Sequence, residues 1–376
     1  MAPVVLALAR RAPSIVSRVC VTGQHREMLD DVLRLFRIEP DHDLDVMRRG
    51  QSPTQVAVEV LRRLEPVLVD ERPDWVIVQG DTTTAAMAAL GAFYAGARVA
   101  HVEAGLRSHE PREPFPEEVN RRLAAVIADL HFAPTPTARR NLLMEGTPAT
   151  AIHVTGNTVI DALHHARQLP IPARSTIGSL CDALDGQRIV LVTAHRRESF
   201  GAPLQRICDA VNRISRDVPD VHVVFPAHPS PAVRAVVDVA FRGNRRVTLL
   251  EPLGYRDMVE LLDRSSLVLT DSGGLQEEAP SLGKPVLVLR EVTERREGIE
   301  AGTVRLVGTD PATIVSAATL LLGSPQQYAA MSRAVNPYGD GHAAERIVRA
   351  LAGDAPADLA DDAVPSERDA LSRANA

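Results

Sequence analysis

Residues Trp75–Arg107 read WVIVQGDTTTAAMAALGAFYAGARVAHVEAGLR. A short apolar run at Trp75–Val78 is followed by a glycine-containing turn, a helical stretch over Thr82–Tyr94 and a second apolar run over Arg98–Val102. Short apolar runs that alternate with longer amphipathic stretches are typical of parallel strand–helix–strand units. The stretch therefore predicts a βαβ unit and an α/β fold.

The same alternation extends to both sides of this unit and restarts after a proline-containing linker at Leu169–Arg174. Strands are predicted before the linker at Arg18–Val21, Trp75–Val78, Arg98–Val102, Leu130–Ala133 and Ala151–Val154, and after it at Arg188–Thr193, His222–Pro226, Val247–Leu250, Leu267–Thr270 and Pro285–Arg290. We therefore predict two doubly wound domains, residues 1–168 and 169–353, that face each other across a cleft. Residues 354–376 lack hydrophobic periodicity, which predicts a disordered tail.

The composition is that of a globular protein, with 45% hydrophobic and 24% charged residues among 376. A net charge of −6 argues against a general nucleic-acid-binding protein. No apolar run approaches the roughly 20 residues that span a bilayer, and no secretion signal is recognisable. Three cysteines lie far apart without CxxC spacing, which argues against a disulfide framework or a zinc site. We expect a cytoplasmic protein that contacts neither nucleic acid nor membrane.

Polar residues follow four of the predicted strands, at the strand ends where open parallel sheets bind ligands. Asp81 and Glu103 end two strands of the first domain, and His195–Arg197 ends the first strand of the second. The glycines of the turn Asp271–Gly274 let backbone N–H groups approach an anion, and His195–Arg197 suits a diphosphate. Glu278, about one turn into the next helix, is placed to accept a pair of ribose hydroxyls.

Simpler explanations exist for both carboxylates of the first domain. Asp81 could cap the helix that begins at Thr82, and Glu103 could pair with Arg107. Two carboxylates that end adjacent strands are less easily explained in this way together. Paired carboxylates in a partly dry cleft can hold different protonation states, which acid–base chemistry requires.

The proline-containing loop Ser108–Glu118 offers further carboxylates. The residue pattern does not choose between Glu117 and Glu118, because either could begin the next helix, where acidic residues favour the helix dipole. The sequence contains no GxGxxG, no GxxxxGK[ST] and no HExxH motif. It therefore gives no indication of a nicotinamide cofactor, a P-loop or a metalloprotease zinc site.

These motifs resemble those of the non-hydrolysing UDP-N-acetylglucosamine 2-epimerases of bacteria. The resemblance runs from about Met1 to Gly353 and is carried by QHREML (Gln24–Leu29), GDTTT (Gly80–Thr84), HVEAGLR (His101–Arg107), PFPEEVNRR (Pro114–Arg122), TGNTVIDAL (Thr155–Leu163), TAHRRESFG (Thr193–Gly201), LTDSGGLQEEAPSLGKPVLVLR (Leu269–Arg290), TERREGIEAGTVRLVG (Thr293–Gly308) and NPYGDG (Asn336–Gly341). It implies a GT-B-like pair of Rossmann-type domains and a homodimer. It also implies that a helix after Asn336 crosses back onto the first domain.

The resemblance further implies a reaction and a set of residues. The family interconverts UDP-N-acetylglucosamine and UDP-N-acetylmannosamine for polysaccharide biosynthesis, through elimination and re-addition of UDP, without a redox cofactor or metal. It assigns acid–base roles to Asp81, Glu103 and Glu117, and it associates His195 with the diphosphate. The implied nucleotide-binding residues are Leu253, Met258, Ser272, Gly273, Gly274, Glu278 and Arg295, and a second, activating substrate site is implied near Gln24, His25 and Gln51.

The chain also departs from the family pattern. Met258 stands where the family commonly has an aromatic residue, and the HxNP turn reads HPSP at His228–Pro231. The family opens with a strand and a GTRPExIK turn, whereas this sequence starts just after that turn, with a predicted helix at Met1–Ala9. We therefore expect the first domain to lack its N-terminal strand. Two alternatives stay open: a nucleotide-sugar-binding protein that lost turnover with that segment, and a GT-B glycosyltransferase.

Overall fold

The computed structural model describes residues 1–24, 26–48, 50–170, 175–194, 196, 199–293 and 295–354. The chain forms two compact units, the first made of Met1–Ala162 and the chain from Tyr338 onward, the second of Leu163–Pro337. The change from the first unit to the second falls inside the helix Thr158–Gln168, and the predicted domain boundary lies at the end of that helix. Most of the predicted linker and of the predicted tail lies outside the described residues.

The first unit is built from short strands and longer helices. Its strands are β1 (Cys20–Val21), β2 (His42–Asp43), β3 (Trp75–Gln79), β4 (Arg98–Val102), β5 (Leu130–Ala133) and β6 (Ile152–Val154). Its helices are α1 (Ala2–Ala9), α2 (Arg26–Phe36), α3 (Pro53–Glu71), α4 (Thr83–Tyr94), α5 (Glu117–Ile127) and α6 (Pro136–Met144), with α7 (Thr158–Gln168) leading into the second unit and α16 (Ala343–Leu351) following the return of the chain. A short 3₁₀ helix, Ala149–Ala151, precedes β6.

The strands of the first unit form two parallel sheets, one of β1 and β2 and one in the order β3-β4-β5-β6. Between β3 and β4, Trp75 pairs with Arg98 and Gln79 pairs with Val102. The carboxyl ends of these two strands therefore lie side by side. As predicted, the first element is a helix, α1, rather than a strand.

Local sequence signals set where the helices of this sheet begin and end. Before α3, Ser52 accepts a hydrogen bond from the backbone N–H of Gln55, whose side chain accepts one from the N–H of Ser52. This reciprocal capping box satisfies two N–H groups that have no partner within the helix. Arg72, in a left-handed conformation, ends α3 just before Pro73. Thr82 caps α4, so that helix begins almost directly after β3.

Gly105 allows α6 to pack closely against the loop that follows β4. Its φ is +88°, and a Cβ built there would lie 2.2 Å from the carbonyl oxygen of Ala138. The carbonyl of Gly105 accepts a hydrogen bond from the Asn141 amide over 2.9 Å. Only glycine fits both the left-handed backbone and the close contact.

The last described helix, α16, belongs to the first unit. It packs with α1 against the β3–β6 sheet in an apolar cluster of Val4, Ala7, Leu8, Ala100, Val102, Phe132, Ala344, Ile347 and Val348. The carboxylate of Asp161 accepts hydrogen bonds from the backbone N–H groups of Ala343 (3.2 Å) and Ala344 (2.8 Å). Asp161 therefore caps the N-terminus of α16 from a distant part of the chain.

The second unit is a parallel α/β sandwich. Its strands are β7 (Arg188–Thr193), β8 (Val221–Pro226), β9 (Val247–Leu250), β10 (Ser265–Thr270), β11 (Val286–Val288) and β12 (Val304–Leu306), in the sheet order β12-β11-β10-β7-β8-β9. Its helices are α8 (Thr176–Ala183), α9 (Ala202–Asp217), α10 (Pro231–Ala240), α11 (Tyr255–Arg264), α12 (Gly273–Ser281), α13 (Arg296–Glu300), α14 (Pro311–Gly323) and α15 (Pro325–Ser332). Two apolar clusters cover opposite faces of the sheet, which explains its nearly uninterrupted apolar strands.

The α/β class and the parallel sheets confirm the predicted fold. All ten predicted strands are present, with ends that differ by a few residues at most. The prediction missed the two short strands β2 and β12. Within the described part of the chain, no helix is both long and apolar enough to cross a membrane.

Candidate functional site

The end of the β3–β4 pair brings two of the predicted site residues together. Asp81 follows β3 after a single glycine, and Glu103 directly follows β4. The side-chain amide of Gln79 donates to Oε2 of Glu103 over 3.3 Å and lies 3.4 Å from the hydroxyl oxygen of Thr158. Both carboxylates are only partly buried, so they remain open to a ligand.

The backbone at this site is held in an uncommon conformation. Glu103 has φ +62°, a left-handed value that costs a residue with a side chain about 1–2 kcal/mol. Beside it, Gly80 has φ +72°, and its carbonyl oxygen lies 2.8 Å from Nε2 of the fully buried His101. Since a carbonyl only accepts, Nε2 of His101 carries the hydrogen. Burial lowers the pKa of His101 to about 4, so the ring stays neutral and holds the turn that carries Asp81.

The simpler explanations for the two carboxylates are wrong. The cap of α4 is Thr82, whose hydroxyl oxygen accepts from the backbone N–H of Ala85 over 3.2 Å, and not Asp81. Arg107 pairs with Glu145, at 2.8 and 2.6 Å, instead of with Glu103. Neither Asp81 nor Glu103 therefore serves the structural purpose that the sequence suggested for it.

Arg121 of α5 connects Asp81 to a buried glutamate. One terminal nitrogen of its guanidinium forms an ion pair with Asp81, and the other donates to Glu118 over 3.2 Å. Glu118 also accepts from Nε of Arg122 (3.1 Å) and from the backbone N–H groups of Ser108 (3.0 Å) and His109 (3.3 Å). Its exposed fraction is 0%. Glu118 thus fixes the start of the Ser108–Glu118 loop against α5.

Glu117 and Glu118, which the residue pattern could not separate, have different environments. Both carboxylate oxygens of Glu118 accept hydrogen bonds from neighbouring side chains of α5. Glu117 is partly exposed at the first position of α5 and has no hydrogen-bond or ion-pair partner among the described residues. Of the two, Glu117 is the one with a carboxylate available to a ligand.

In the second unit, the turn after β10 forms a platform at the N-terminus of α12. A Cβ built on Gly273 would lie 2.7 Å from Cζ and Nη1 of Arg295, so the guanidinium rests directly on the glycine. Nε of Arg295 donates to the buried Glu277 over 2.8 Å. A guanidinium beside helix N-terminal N–H groups is an arrangement suited to a diphosphate.

Hydrogen bonds fix the segments around this platform. The backbone N–H of Ser272 donates to the hydroxyl of Thr270 over 2.9 Å. Asp271 is fully buried and accepts from the N–H of Arg196 (2.9 Å) and the hydroxyl of Ser199 (2.8 Å), which ties the loop after β7 to the end of β10. The backbone of Arg196 is therefore held beside the glycine turn.

Glu278 lies one turn into α12 and is 6% exposed. Its Oε1 accepts a hydrogen bond from the hydroxyl of Tyr255 over 2.7 Å. Burial, helped by the neighbouring Glu277 and opposed by the Tyr255 hydrogen bond, raises the pKa of Glu278 to about 7. Leu253 and Met258, predicted near the nucleotide base, are half-buried against the apolar cluster on this face of the sheet.

The remaining predicted site residues have separate positions. Gln24 accepts a hydrogen bond from the Thr84 hydroxyl over 3.0 Å, next to the start of α4. Gln51 donates to the carbonyl of Val46 over 3.1 Å within its own turn. His195 and His25 lie outside the described residues.

Several residues of these two sites escaped the sequence prediction. They are Gln79, His101 and Arg121 in the first unit, and Tyr255 and Glu277 in the second. Position directly at a strand end was a usable signal for Gln79. No local pattern separates Arg121 or Tyr255 from surface residues. In the ranges that the structure covers, no group of three or more His, Cys, Asp or Glu side chains is arranged to hold a metal ion.

The fold and the two polar sites define an α/β protein of the GT-B type. Two similar solved structures are the UDP-GlcNAc 2-epimerase of Neisseria meningitidis bound to UDP-GlcNAc (TM-score 0.85, 44% identity, 94% of this chain and 96% of that one) and that of Methanocaldococcus jannaschii in complex with UDP-GlcNAc and UDP (TM-score 0.76, 30% identity, 94% and 95%). The similarity covers nearly the full length of each chain.

Sequence comparison gives the family. Residues 7–352 match the sequence model described as UDP-N-acetylglucosamine 2-epimerase. The UDP-N-acetylglucosamine 2-epimerases of Yersinia pestis and Escherichia coli K12 are 50% and 49% identical to this chain over 355 residues, which are 93% of this chain and 94% of each relative. The chain belongs to the UDP-N-acetylglucosamine 2-epimerase family.

Proposed function

We propose that this chain interconverts UDP-N-acetylglucosamine and UDP-N-acetylmannosamine by inverting C2 of the sugar. The observation that carries the proposal is the pair of carboxylates, Asp81 and Glu103, at adjacent ends of β3 and β4. Relatives that are 50% and 49% identical in sequence to this chain are named for this activity, and the solved structure of the Neisseria meningitidis relative is bound to UDP-GlcNAc.

The reaction needs a base and a stabilised leaving group. A carboxylate takes the proton from C2, and the electron pair of that C–H bond forms a double bond between C1 and C2. The bond from C1 to the diphosphate oxygen breaks, and its electron pair leaves with UDP in an anti elimination. UDP then adds back to C1 of the glycal while C2 receives a proton on the other face. The C2 proton is weakly acidic, so the reaction needs both a positioned base and a stabilised leaving group.

Asp81, Glu103 and Glu117 supply the proton transfers in this proposal. Arg121 holds the Asp81 carboxylate and Gln79 holds that of Glu103, so both have fixed oxygens. Glu117 is accessible and unpaired within the described chain, as a group that exchanges protons with a substrate needs to be. Acid and base roles exchange between these groups when the reaction runs in reverse.

The second unit contributes the UDP contacts. The Arg295 guanidinium and the N–H groups at the Gly273 turn take the diphosphate, with His195 assigned to it from the sequence alone. Glu278 accepts hydrogen bonds from ribose hydroxyls. The complete proposed set is Leu253, Met258, Ser272, Gly273, Gly274, Glu278 and Arg295, with Leu253 and Met258 beside the uracil.

The test is proton exchange at C2. UDP-N-acetylglucosamine is incubated in heavy water with the full-length chain, and NMR follows deuterium at C2. We expect exchange by the wild type and a loss of about 100- to 10,000-fold in Glu103→Gln and Glu117→Gln. Glu113→Gln, in the exposed part of the same loop, is the matched control and retains the rate. A folded wild type that exchanges no proton, or that transfers the sugar to an acceptor, contradicts the proposal.

We also propose that the protein is a homodimer. Helices α3, α4 and α5 are neighbours and leave large apolar side chains exposed, among them Val69, Tyr94 (73%), Leu123 and Val126 (86%). Several large apolar side chains exposed on neighbouring helices are a feature of protein interfaces. Light scattering is expected to give twice the chain mass, and Val126→Glu is expected to give monomers. A monomeric wild type contradicts the proposal.

Two further assignments rest on the sequence. Gln24, His25 and Gln51 are proposed to lie near an activating second substrate site. A cytoplasmic location is proposed because the three free cysteines agree with a reducing compartment.

A further inference from the structure

The contact between Tyr255 and Glu278 joins two helices of the second unit. Tyr255 is the first residue of α11, and Glu278 lies in the middle of α12. The Tyr255 hydroxyl donates to Oε1 of Glu278 over 2.7 Å, and no other described residue forms a hydrogen bond to this carboxylate. A buried carboxylate with a single neutral partner is costly, which is a feature of sites kept for a ligand.

The adjacent glutamate has a different task. Glu277 accepts from Nε of Arg295 and is committed to that ion pair. The second oxygen of Glu278, Oε2, lies on the side of Gly274, where a Cβ would be 3.9 Å away. Since helix side chains lean toward the N-terminus, Oε2 is directed to the glycine turn. Tyr255 thus engages one oxygen of Glu278 and leaves the other directed at the proposed nucleotide site.

The direction of proton donation is fixed. Burial and the Glu278 charge raise the pKa of Tyr255 above its usual value, so the phenol keeps its hydrogen. The hydroxyl therefore donates and the carboxylate accepts. Oε2 then needs a hydrogen-bond donor from the ligand.

We propose that Tyr255 is a positioning residue, which orients Glu278 so that Oε2 accepts a hydrogen bond from a ribose hydroxyl of the nucleotide. The inference rests on the proposed function, because it requires the Gly273 turn to bind a nucleoside diphosphate. The phosphates of such a ligand repel a carboxylate. Its neutral donors are the ribose hydroxyls and the uracil N3–H, and the ribose is the group bonded directly to the phosphates that face the turn.

The experiment measures binding of four nucleotides by calorimetry: UDP, 2′-deoxy-UDP, 3′-deoxy-UDP and N3-methyl-UDP. The proteins are the wild type, Tyr255→Phe and Tyr328→Phe. We expect the wild type to bind UDP about tenfold more tightly than at least one deoxy analogue. Tyr255→Phe is expected to weaken UDP binding about tenfold and to remove that preference. Tyr328→Phe, a half-buried tyrosine of α15, is expected to match the wild type.

A merely structural role for Tyr255 gives a different pattern. In that case Tyr255→Phe weakens all four nucleotides equally and leaves the ribose preference intact, which overturns the proposal. An unchanged UDP affinity of Tyr255→Phe also overturns the proposal. If Tyr255→Phe instead loses a preference for UDP over N3-methyl-UDP, Glu278 contacts the uracil and the proposal is likewise overturned. If the wild type does not bind UDP at all, the proposed function itself fails.

In steady state, we expect Tyr255→Phe to raise KM and leave kcat unchanged, since the ribose contact is the same before and during the reaction.

Discussion

The carboxylate of Glu118 lies 3.2 Å from Nη1 of Arg121, and both side chains are buried. The same guanidinium pairs with Asp81, so the fully buried Glu118 helps to fix a proposed catalytic carboxylate. The two adjacent glutamates of α5 consequently differ in environment: Glu118 is buried among internal partners, whereas Glu117, which we propose as a catalytic residue, is partly exposed.

Alanine substitution separates these two purposes. Glu118→Ala leaves two arginines and two backbone N–H groups without their buried partner, and we expect it to lower the free energy of unfolding by about 3–5 kcal/mol. Because Glu117 has no partner among the described residues, Glu117→Ala is expected to change the free energy of unfolding by less than about 0.5 kcal/mol and still to abolish C2 exchange. Urea unfolding and NMR exchange measure the two effects. Equal stability of the two variants contradicts the assignment.

The left-handed backbone of Glu103 predicts an unusual order of stability. At φ +62°, the Cβ of an alanine at position 103 is strained against the backbone, whereas glycine has no Cβ and adopts this conformation freely. We expect Glu103→Gly to be more stable than Glu103→Ala by about 1 kcal/mol in urea unfolding, and both to be inactive. At Ala85, inside α4 with ordinary helical geometry, the order is expected to reverse, with Ala85→Gly less stable than the wild type. The backbone assignment fails if alanine is the better residue at position 103.

Two buried histidines predict a loss of stability in mild acid. Burial lowers the pKa of both His101 and His131 to about 4, against 6.5 for an unperturbed histidine. Between these values the unfolded chain binds more protons than the folded chain, so the free energy of unfolding falls as the pH falls from 6.5 to 4. The loss is on the order of 3 kcal/mol for each histidine.

Urea unfolding at several pH values from 7.5 to 4.5 measures this dependence. His131→Gln is expected to have a smaller pH dependence than the wild type, because glutamine does not titrate. The exposed His228 gives the control, and His228→Gln is expected to keep the wild-type slope. A slope in His131→Gln as steep as that of the wild type would contradict the lowered pKa of His131 in the folded protein.

The contact between Gly273 and Arg295 predicts that a single methyl group impairs UDP binding. A Cβ at Gly273 would lie 2.7 Å from the guanidinium carbon, so Gly273→Ala must displace Arg295. We expect UDP affinity to fall about tenfold or more, since one charge-assisted contact is lost. Gly323→Ala, at the end of α14 with open space around it, is the control and is expected to bind UDP normally. Unchanged affinity in Gly273→Ala would contradict the role of Arg295.

The sequence was sufficient for the regular strands and for the residues at their ends. The bounds of β4, β5, β7 and β9 agree with prediction at both ends, because each is an apolar run bounded by polar or turn residues. Asp81 and Glu103 were predictable as neighbours since parallel strands align their carboxyl ends. The two-residue β2 and the three-residue β12, with Arg305 at its centre, have too little pattern to predict a strand.

Contacts between distant segments were not predictable. The pairing of Arg121 with Asp81 depends on how α5 packs beside α4, and that of Tyr255 with Glu278 depends on where the first residue of α11 lies relative to α12. Neither distance follows from helix or strand periodicity. Likewise, the rejected pairing of Glu103 with Arg107 was locally reasonable, but Arg107 instead pairs with Glu145, which directly follows α6.

The path of the chain through its two units has a consequence for synthesis on the ribosome. The residues of the second unit are contiguous, so it can fold as soon as it emerges. The first unit, in contrast, begins the chain and waits for α16 before Ile347 and Val348 can join Val4 and Leu8 in their apolar cluster. Closing so long a separation is slow, and a nascent chain exposes that apolar surface meanwhile. A chain that terminates before α16 therefore lacks part of the core of its first unit, the part of the protein that is synthesised first. Such fragments are natural substrates for chaperones and proteases.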